Sequence, residues 1–334
     1  MRRTWVLVIA AAAACAPDRH AECGREDVAA GESVECVVPG WLDRSFELAV
    51  PASWNGSATL PVIVLFHGGG GNRQSANKTT CPGGDEGSPQ CLVALAASRG
   101  YAVVIPDGTG TRPLRGLRTW NGGGGNDLQC TSGAACKSRV DDFRYFGDLL
   151  EAVSLAIPVD GRRVYLTGIS NGAAMAHRLA CEAPERVAAI VGVAGLNEFA
   201  DDGGPCDARV PVRQIHGTAD PCWPYDGGAK ACLQDDGEPK TSVTVTMEGW
   251  RTRNGCGPTP ADGARGERDP SDGTMLVTKT WPNCPAATEL LTVVGGGHTW
   301  PNGNAYADDD VIGRVSREVD NADILEFFDR HVHP

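Results

Sequence analysis

The residues with the clearest chemical potential form the sequence Gly168-Ile169-Ser170-Asn171-Gly172. In a Gly-x-Ser-x-Gly pattern, the serine lies on a sharp turn between a strand and a helix, and the turn lifts its hydroxyl clear of the sheet. Glycines are needed because a side chain at either flank would collide with this turn. An apolar run precedes the motif and a helical pattern follows it. We therefore expect Ser170 to be a nucleophile that forms a covalent acyl intermediate.

A serine hydroxyl needs a base to take its proton, and histidine is the side chain whose pKa suits that task near neutral pH. The sequence has seven histidines. His298 is the expected base, because it follows a predicted strand and three glycines late in the chain. His67 and His216 each end a predicted strand as His-Gly, which is more typical of hydrogen-bonded turn histidines. His177, in the helix after the nucleophile, is expected to be structural.

The base in turn needs a carboxylate that orients its imidazole and stabilises the imidazolium form. Asp220 is the expected carboxylate, since it lies just past a predicted strand and between Ser170 and His298 in chain order. Asp226 is the second choice for this role. An aspartate at either position is also compatible with a simple turn.

A tetrahedral intermediate needs N–H donors for its oxyanion. The glycine-rich stretch that begins at His67 follows a predicted strand, and we expect the backbone N–H groups of Gly69 and Asn171 to be the donors. The stretch does not match a phosphate loop, because neither a G-x-G-x-x-G that opens a helix nor a G-x-x-x-x-G-K-[ST] pattern is present.

The elements that position these residues are short apolar runs alternating with helical stretches, which predicts an α/β fold with a mostly parallel, doubly wound sheet. The predicted buried strands span residues 61–66, 101–105, 163–167, 188–193, 212–215 and 289–294. The predicted helices span 92–98, 142–156, 171–180 and 322–330. Residues 46–50 alternate in polarity and predict an antiparallel edge strand.

The N-terminus resembles an export signal. Arg2 and Arg3 precede an apolar run over residues 5–14, which is too short to span a bilayer. Cys15 is a candidate for lipidation, and plain cleavage near it is the alternative. We therefore expect residues 1–15 to be a signal peptide, 16–40 an N-terminal segment and 41–334 the catalytic domain. The expected location is extracellular, or lipid-anchored at the cell envelope, with no transmembrane span.

Beyond Cys15 the sequence contains an even number of cysteines, which in an exported chain indicates disulfides. We expect six bridges between neighbours in sequence, and some buried free thiols are the alternative. No two cysteines form a C-x-x-C pattern, so neither a metal site nor a redox site is expected. The cysteines are Cys23, Cys36, Cys81, Cys91, Cys130, Cys136, Cys181, Cys206, Cys222, Cys232, Cys256 and Cys284.

The overall charge narrows the class of partner. Lys+Arg 30 against Asp+Glu 42 gives a formal net charge of -12. This acidic balance disfavours nucleic acid and anionic membranes, since both bind clustered cations. Neutral substrates fit this balance better. We also expect a monomeric protein that acts on a small ester or an oligomeric substrate.

Four separated motifs resemble those of secreted esterases in the polyhydroxybutyrate depolymerase and feruloyl esterase family. The likeness runs from about Phe46 to Phe328. The motifs are Gly-Ile-Ser170-Asn-Gly-Ala-Ala-Met, Arg-Leu-Ala-Cys181-Glu, His216-Gly-Thr-Ala-Asp220-Pro and Gly-Gly-Gly-His298-Thr-Trp-Pro. The order Ser, Asp, His is also that of the α/β-hydrolases.

This resemblance implies an α/β-hydrolase fold with disulfide-stapled loops, and neither a metal nor an organic cofactor. It implies Ser170 as nucleophile, Asp220 and His298 as its partners, and Gly69 as a backbone donor at a position where some relatives carry Cys. It further implies bridges between Cys181 and Cys206 and between Cys256 and Cys284. The loops 81–91 and 122–137 depart from the family pattern, so they bear on substrate preference.

The acyl and alcohol groups are left open by the sequence. Feruloyl or acetyl esters of plant walls and hydroxyalkanoate esters are both compatible with the resemblance. Trp120, Trp223 and Trp300 lie beside glycine-rich or motif loops and are candidates to stack on a phenolic or sugar ring. A serine peptidase of prolyl-oligopeptidase type and a non-catalytic surface binding protein are the two alternative functions.

Overall fold

The computed structural model describes residues 22–41, 43–110, 116–125, 133–229, 232 and 239–333. The predicted signal peptide, Cys15 and Cys130 lie outside these residues. In the described part of the chain, no helix is both long enough and apolar enough to cross a membrane.

The strands form one large sheet and a short hairpin. In chain order they are β1 (Ser33–Val37), β2 (Ser45–Ala49), β3 (Leu60–Phe66), β4 (Ala102–Pro106), β5 (Thr109–Gly110), β6 (Arg118–Thr119), β7 (Val159–Ile169), β8 (Ala189–Val193), β9 (Val212–Gly217), β10 (Ala261–Gly266), β11 (Met275–Trp281) and β12 (Thr288–Val294). The 10-stranded sheet has the order β1-β2-β4-β3-β7-β8-β9-β12-β11-β10, and β5 pairs with β6.

The helices are α1 (Arg73–Thr79), α2 (Leu92–Ser98), α3 (Ala134–Lys137), α4 (Asp142–Ala156), α5 (Asn171–Glu182), α6 (Glu198–Asp201), α7 (Val243–Arg253), α8 (Asp309–Ile312) and α9 (Asn321–Asp329). The predicted bounds of α2 and α4 are confirmed to the residue. The predicted helix at 171–180 ends two residues later, and that at 322–330 begins and ends one residue earlier.

The centre of the sheet is parallel and covered on both faces. The six adjacent central strands run parallel to one another, and they are β4, β3, β7, β8, β9 and β12. Successive residues of β3 point to opposite faces of the sheet. On one face, Val64 belongs to a core cluster with residues of α4 and α5. On the other face, Ile63 belongs to a second cluster with residues of α2 and α9. A doubly wound α/β sheet is therefore confirmed, and its apolar strands have the composition expected for burial on both sides.

The margins of the sheet differ from the prediction. The strand predicted at residues 46–50 is β2, and it pairs antiparallel with β4 as expected, but the prediction that it lies at the edge is wrong. Strand β1, within the expected N-terminal segment, pairs with its other side and forms the edge. At the opposite margin β10 and β11 were not predicted. Strand β11 is only half-buried, and its sequence does not have the continuous apolar run by which the central strands were predicted.

The disulfide framework follows the predicted neighbour pairing. The bridges are Cys23–Cys36, Cys81–Cys91, Cys181–Cys206, Cys222–Cys232 and Cys256–Cys284. Cys136 is also disulfide-bonded, and its expected partner Cys130 lies outside the described residues. The alternative of free thiols is therefore wrong for each of these cysteines. The described bridges span 10 to 28 residues of sequence, so each restricts the unfolded chain over a short loop.

Candidate active site

Ser170 occupies the turn between β7 and α5, as the motif predicts. Its backbone angles are φ 57 and ψ -123, a conformation that costs energy for any residue with a Cβ. Neighbouring glycines have no side chain, so the surrounding backbone can lie close to this turn. A Cβ on Gly172 would lie 2.4 Å from the Phe66 carbonyl oxygen, and a Cβ on Gly195 would lie 2.1 Å from the Ser170 carbonyl oxygen. The strained turn is thus held by backbone packed directly against it.

Asp220 and His298 form a buried hydrogen-bonded pair. Asp220 follows β9 and His298 follows β12, and these strands are parallel neighbours in the sheet. His298 Nδ1 donates to Asp220 Oδ2 at 2.8 Å. The second carboxylate oxygen, Oδ1, accepts the N–H groups of Cys222 at 2.8 Å and Trp223 at 2.7 Å. The predicted pairing of these two side chains is present, with the carboxylate held from both sides.

Asp220 is electrostatically suited to carry a negative charge in spite of its burial. Burial alone would raise the pKa of this carboxyl group, but the charge of His298 and the hydrogen bonds from His216 and His298 outweigh it. The net effect holds the pKa of Asp220 well below its usual range. The carboxylate therefore stays ionised at neutral pH and can stabilise an imidazolium on His298.

The parallel order of the strands brings the nucleophile to the same sheet edge as this pair. Ser170, Asp220 and His298 follow the carboxyl ends of β7, β9 and β12, where open α/β sheets bind their ligands. Among the described residues, no hydrogen bond joins Ser170 Oγ to His298 Nε2. Such contacts are often longer before a substrate is bound and tighten in its complex.

The two segments that carry the predicted oxyanion donors lie beside the nucleophile. A Cβ on Gly68 would lie 3.6 Å from Ser170 Cβ, so the loop after β3 contacts the serine. The N–H groups of Gly70 and Gly71 donate to Arg118 O at 2.8 Å and Gly68 O at 3.0 Å. Among the described residues, no acceptor is found for the Gly69 N–H. The Asn171 N–H opens α5 and is equally without an acceptor there.

Asn171 is held in place by its own side chain. Its Oδ1 accepts the Trp120 N–H at 2.6 Å, and its Nδ2 donates to the Trp120 carbonyl at 2.9 Å. The indole of Trp120 donates to the His67 carbonyl at 3.0 Å. This links the two halves of the candidate oxyanion hole, since His67 precedes the glycine loop and Asn171 follows the nucleophile.

His67 is used structurally, as the sequence predicts. Its Nδ1 contacts the Gly68 carbonyl oxygen at 2.8 Å, and its Nε2 accepts the Gly108 N–H at 2.9 Å. Burial lowers its pKa to about 4. Both ring nitrogens are occupied, so His67 is not available as a base.

The three tryptophans expected to contact substrate are buried. Trp120 and Trp300 are 0% exposed and Trp223 is 2% exposed. Trp300 packs in the core against α9 and donates to Asn321 Oδ1 at 2.9 Å. A ring must present an accessible face to stack on a ligand, so the burial of all three corrects the expected role in favour of packing. The sequence could not separate these cases, because a core tryptophan and a cleft tryptophan can both lie beside a motif loop.

Tyr306 contacts the backbone of His298, and the sequence analysis did not single it out. Its hydroxyl donates to the His298 carbonyl oxygen at 2.9 Å, and 44% of the residue is exposed. It lies in a loop without periodic pattern, so no sequence signal marks it. Asp226, the second choice for the carboxylate, is exposed, whereas Asp220 is buried against His298.

One cluster in the described part of the chain has metal-ligand chemistry. Side-chain atoms of Asp220, Cys222 and His298 lie within 4.8 Å of one another. Cys222, however, is bonded to Cys232 and offers no thiolate. Asp220 and His298 already satisfy each other, so this donor set does not fit a metal ion.

Comparisons with known proteins identify the fold. A family model described as the alpha/beta hydrolase fold matches residues 61–209. An acetyl xylan esterase from Aspergillus awamori aligns over 90% of this chain and 99% of its own, with a TM-score of 0.55 and 16% identity. The chain therefore has the α/β-hydrolase fold, and the predicted fold class is confirmed.

Relatives in sequence agree with the predicted resemblance. The chain is 28% identical over 331 residues to NocK, named an esterase, of Nocardia uniformis subsp. tsuyamanensis, covering 94% of this chain and 87% of that protein. It is 25% identical over 305 residues to feruloyl esterase D of Neurospora crassa, covering 90% of this chain and 89% of that protein. The resemblance to esterases of this fold is thus confirmed. The substrates in these names are those of the relatives.

Proposed function

We propose that this chain is a serine carboxylic-ester hydrolase that acts through Ser170, His298 and Asp220. The observation that carries the proposal is the buried Asp220–His298 hydrogen bond at the sheet edge where the strained Ser170 turn also ends. The similarity to proteins named esterases supports the same conclusion. We further propose that Gly69 and Asn171 supply the oxyanion donors.

In the proposed acylation step, Ser170 Oγ attacks the ester carbonyl carbon while His298 Nε2 takes its proton. The carbonyl oxygen becomes an oxyanion and is bound by the N–H groups of Gly69 and Asn171. Collapse of this intermediate breaks the bond to the alcohol oxygen, which receives the proton from His298. The acyl group stays on Ser170.

In the proposed deacylation step, water attacks the acyl carbon and gives its proton to His298 Nε2. A second oxyanion forms and collapses, the bond to Ser170 Oγ breaks, and the proton returns to the serine. The carboxylic acid is released. Throughout both steps Asp220 stays ionised and stabilises the imidazolium through Nδ1.

The substrate class we propose is a feruloyl or acetyl ester of the plant wall. The names of the relatives support this class over hydroxyalkanoate esters. The exposed Tyr306 beside His298 adds support, because an accessible aromatic ring can pack against a phenolic acyl group. We also propose export from the cytosol, since several disulfides in one chain are typical of oxidising compartments.

The experiment that tests the substrate class compares initial rates on methyl ferulate, an aryl acetate and a 3-hydroxybutyrate trimer. The oxidised protein and its Ser170→Ala variant are measured side by side. Preference for the ferulate or the acetate, lost in the variant, supports the proposal. Preference for the trimer would contradict the proposed substrate class and indicate hydroxyalkanoate esters instead. Cleavage of peptide amides without esters would favour the peptidase alternative.

A further inference from the structure

A second polar assembly lies directly behind the candidate site and is not part of the proposed triad. It consists of Trp250, His177, Gln214 and His216, which we call the polar relay, and it ends on Asp220. Each of the four side chains is at most 1% exposed. Buried polar groups need hydrogen-bond partners, and each member of the relay finds one in the next.

The direction of every hydrogen bond in the polar relay follows from Trp250, whose indole can only donate. It donates to His177 Nδ1 at 3.0 Å, so the neutral His177 ring carries its proton on Nε2. That N–H donates to Gln214 Oε1 at 3.0 Å. The amide nitrogen of Gln214 then donates to His216 Nδ1 at 3.2 Å. His216 is left with its proton on Nε2, which faces away from Gln214.

A neutral His177 is required by this pattern, and its surroundings enforce it. Burial lowers the pKa of His177 to about 4, with Arg253 and His216 acting in the same direction. A protonated ring would also turn Nδ1 into a donor facing the Trp250 N–H. The tautomers along the polar relay are therefore fixed by chemistry as well as by distance.

His216 Nε2 faces two oxygen atoms at the end of the polar relay and is hydrogen-bonded to the nearer one. The Trp223 carbonyl oxygen lies at 2.8 Å and Asp220 Oδ2 at 3.3 Å. Asp220 Oδ2 is the same atom that accepts the proton of His298 Nδ1 at 2.8 Å. The carboxylate oxygen that faces the proposed base thus lies close to two imidazoles, and Trp223, which accepts from His216, donates its own N–H to Asp220 Oδ1.

The fold makes room for the polar relay at one glycine. A Cβ on Gly192, in β8, would lie 2.6 Å from Gln214 Oε1 and 2.7 Å from His177 Nε2. A side chain at Gly192 would therefore overlap both atoms and break the hydrogen bond between His177 and Gln214. His177 lies on α5, the helix that begins directly after Ser170, so the relay joins the nucleophile helix to the loop that carries Asp220.

We propose that His216 is a positioning residue for Asp220, and that the polar relay fixes His216 in the tautomer that donates to this carboxylate. Held by His216, the carboxylate keeps Oδ2 directed at His298 Nδ1, and His298 keeps Nε2 free to take the Ser170 proton. This inference rests on the proposed function of the triad. It adds a role for His216 that its place in a His-Gly turn does not reveal.

Two substitutions of His216 separate positioning from packing. Glutamine places an amide nitrogen near the position of Nε2 and can still donate to Asp220, whereas asparagine reaches only as far as Nδ1. We expect His216→Asn to lower kcat about tenfold or more, as for the loss of one buried hydrogen bond, with little change in KM. We expect His216→Gln to recover most of that loss. Equal loss in both variants, or none in either, would overturn the positioning role.

A second measurement needs no catalysis and compares the wild-type protein with two tryptophan variants. Two-bond 15N–1H correlation spectra distinguish the tautomers of histidine rings. We expect His177 and His216 to be Nε2–H tautomers at pH 7. In Trp250→Phe the fixed tautomer of His177 should be lost. The matched control is Trp281→Phe, because the Trp281 indole N–H has no partner among the described residues. An Nδ1–H tautomer at either histidine in the wild type would refute the relay.

These outcomes are distinct from a failure of the proposed function. A wild type that hydrolyses no ester through Ser170 would refute the function itself. An active wild type whose His216→Asn variant keeps its full kcat would refute only the positioning role.

Discussion

Asp220 and His298 are 78 residues apart in sequence, yet Asp220 Oδ2 accepts a hydrogen bond from His298 Nδ1 at 2.8 Å. Both side chains are buried, with 4% and 3% exposure. The contact arises because β9 and β12 are parallel neighbours, so the loops that follow them emerge at one edge of the sheet. A carboxylate in this position fixes one ring nitrogen and leaves the other for proton transfer.

Replacing Asp220 by asparagine should lower kcat by roughly 10³- to 10⁴-fold, because an amide NH2 facing Nδ1 favours the wrong tautomer of His298. The matched control is Asp226→Asn, which changes an exposed aspartate in the same loop. Initial rates on an aryl acetate measure both variants. A comparable loss of kcat in the two variants, or a loss in Asp226→Asn alone, would mean that Asp220 is not the carboxylate that orients His298.

Replacing Gly195 by alanine should damage the nucleophile turn. The new Cβ would lie 2.1 Å from the Ser170 carbonyl oxygen, a backbone atom that cannot move aside cheaply. We expect a loss of about 2 kcal/mol or more in the free energy of unfolding, together with a lower kcat. Urea denaturation and steady-state rates measure the two effects.

The control for Gly195 is Gly161→Ala in β7, where an added Cβ would meet nothing within 4 Å. It should change stability by less than about 1 kcal/mol and leave kcat unaltered. A Gly195→Ala protein as stable and active as this control would show that the close approach to Ser170 is not needed.

Replacing Tyr306 by leucine should reduce activity on methyl ferulate more than on methyl acetate. The exposed ring is proposed to pack against an aromatic acyl group, which an acetyl group lacks. We expect kcat/KM on the ferulate to fall about tenfold relative to the acetate, as for the loss of one aromatic contact. An unchanged ratio of the two rates would remove Tyr306 from the substrate site.

Acidification should destabilise the protein through its buried histidines. The pKa values of His67 and His177 fall from 6.5 to about 4 on folding, so the unfolded state binds more protons between these pH values. Asp201 acts in the opposite sense, because burial raises its pKa from 3.8 to about 6. For these three groups the net difference near pH 5 is about one proton, so roughly 1.4 kcal/mol of unfolding free energy is lost per pH unit as the pH falls. The pKa of His331 is also lowered to about 4 by burial, and it adds to the loss.

Two variants test the sign of each contribution to this pH dependence. Urea denaturation between pH 5 and pH 6.5 should show a slope smaller by about one proton in His177→Gln, and larger by about one proton in Asp201→Asn. A slope that is the same in all three proteins would mean that these groups have ordinary pKa values in the folded state.

Local sequence features gave the most reliable part of the prediction. The bounds of α2 and α4 agree with their apolar periodicity, and cysteines close in sequence are bridged where both partners are described. The Ser170 turn could be predicted because Gly168 and Gly172 are required at fixed spacing around it. Each of these features depends on residues that lie near one another in the chain.

Features set by distant parts of the chain were harder to predict. Strand β2 reads as an edge strand until β1 is known to pair beyond it. The burial of Trp120 depends on helices and loops far away in sequence, and so does the contact of Tyr306 with His298. The polar relay joins α5, α7 and β9, so no single segment carries its signal.

The most direct test of the central claim is the fate of Ser170. The wild-type protein and Ser170→Ala are each treated with a fluorophosphonate, analysed by intact mass and peptide mapping, and assayed on an aryl acetate. We expect one phosphonyl group on Ser170 in the wild type, no adduct in the variant, and a loss of nearly all hydrolysis. Hydrolysis that persists in Ser170→Ala, or an adduct on another residue, would contradict the account.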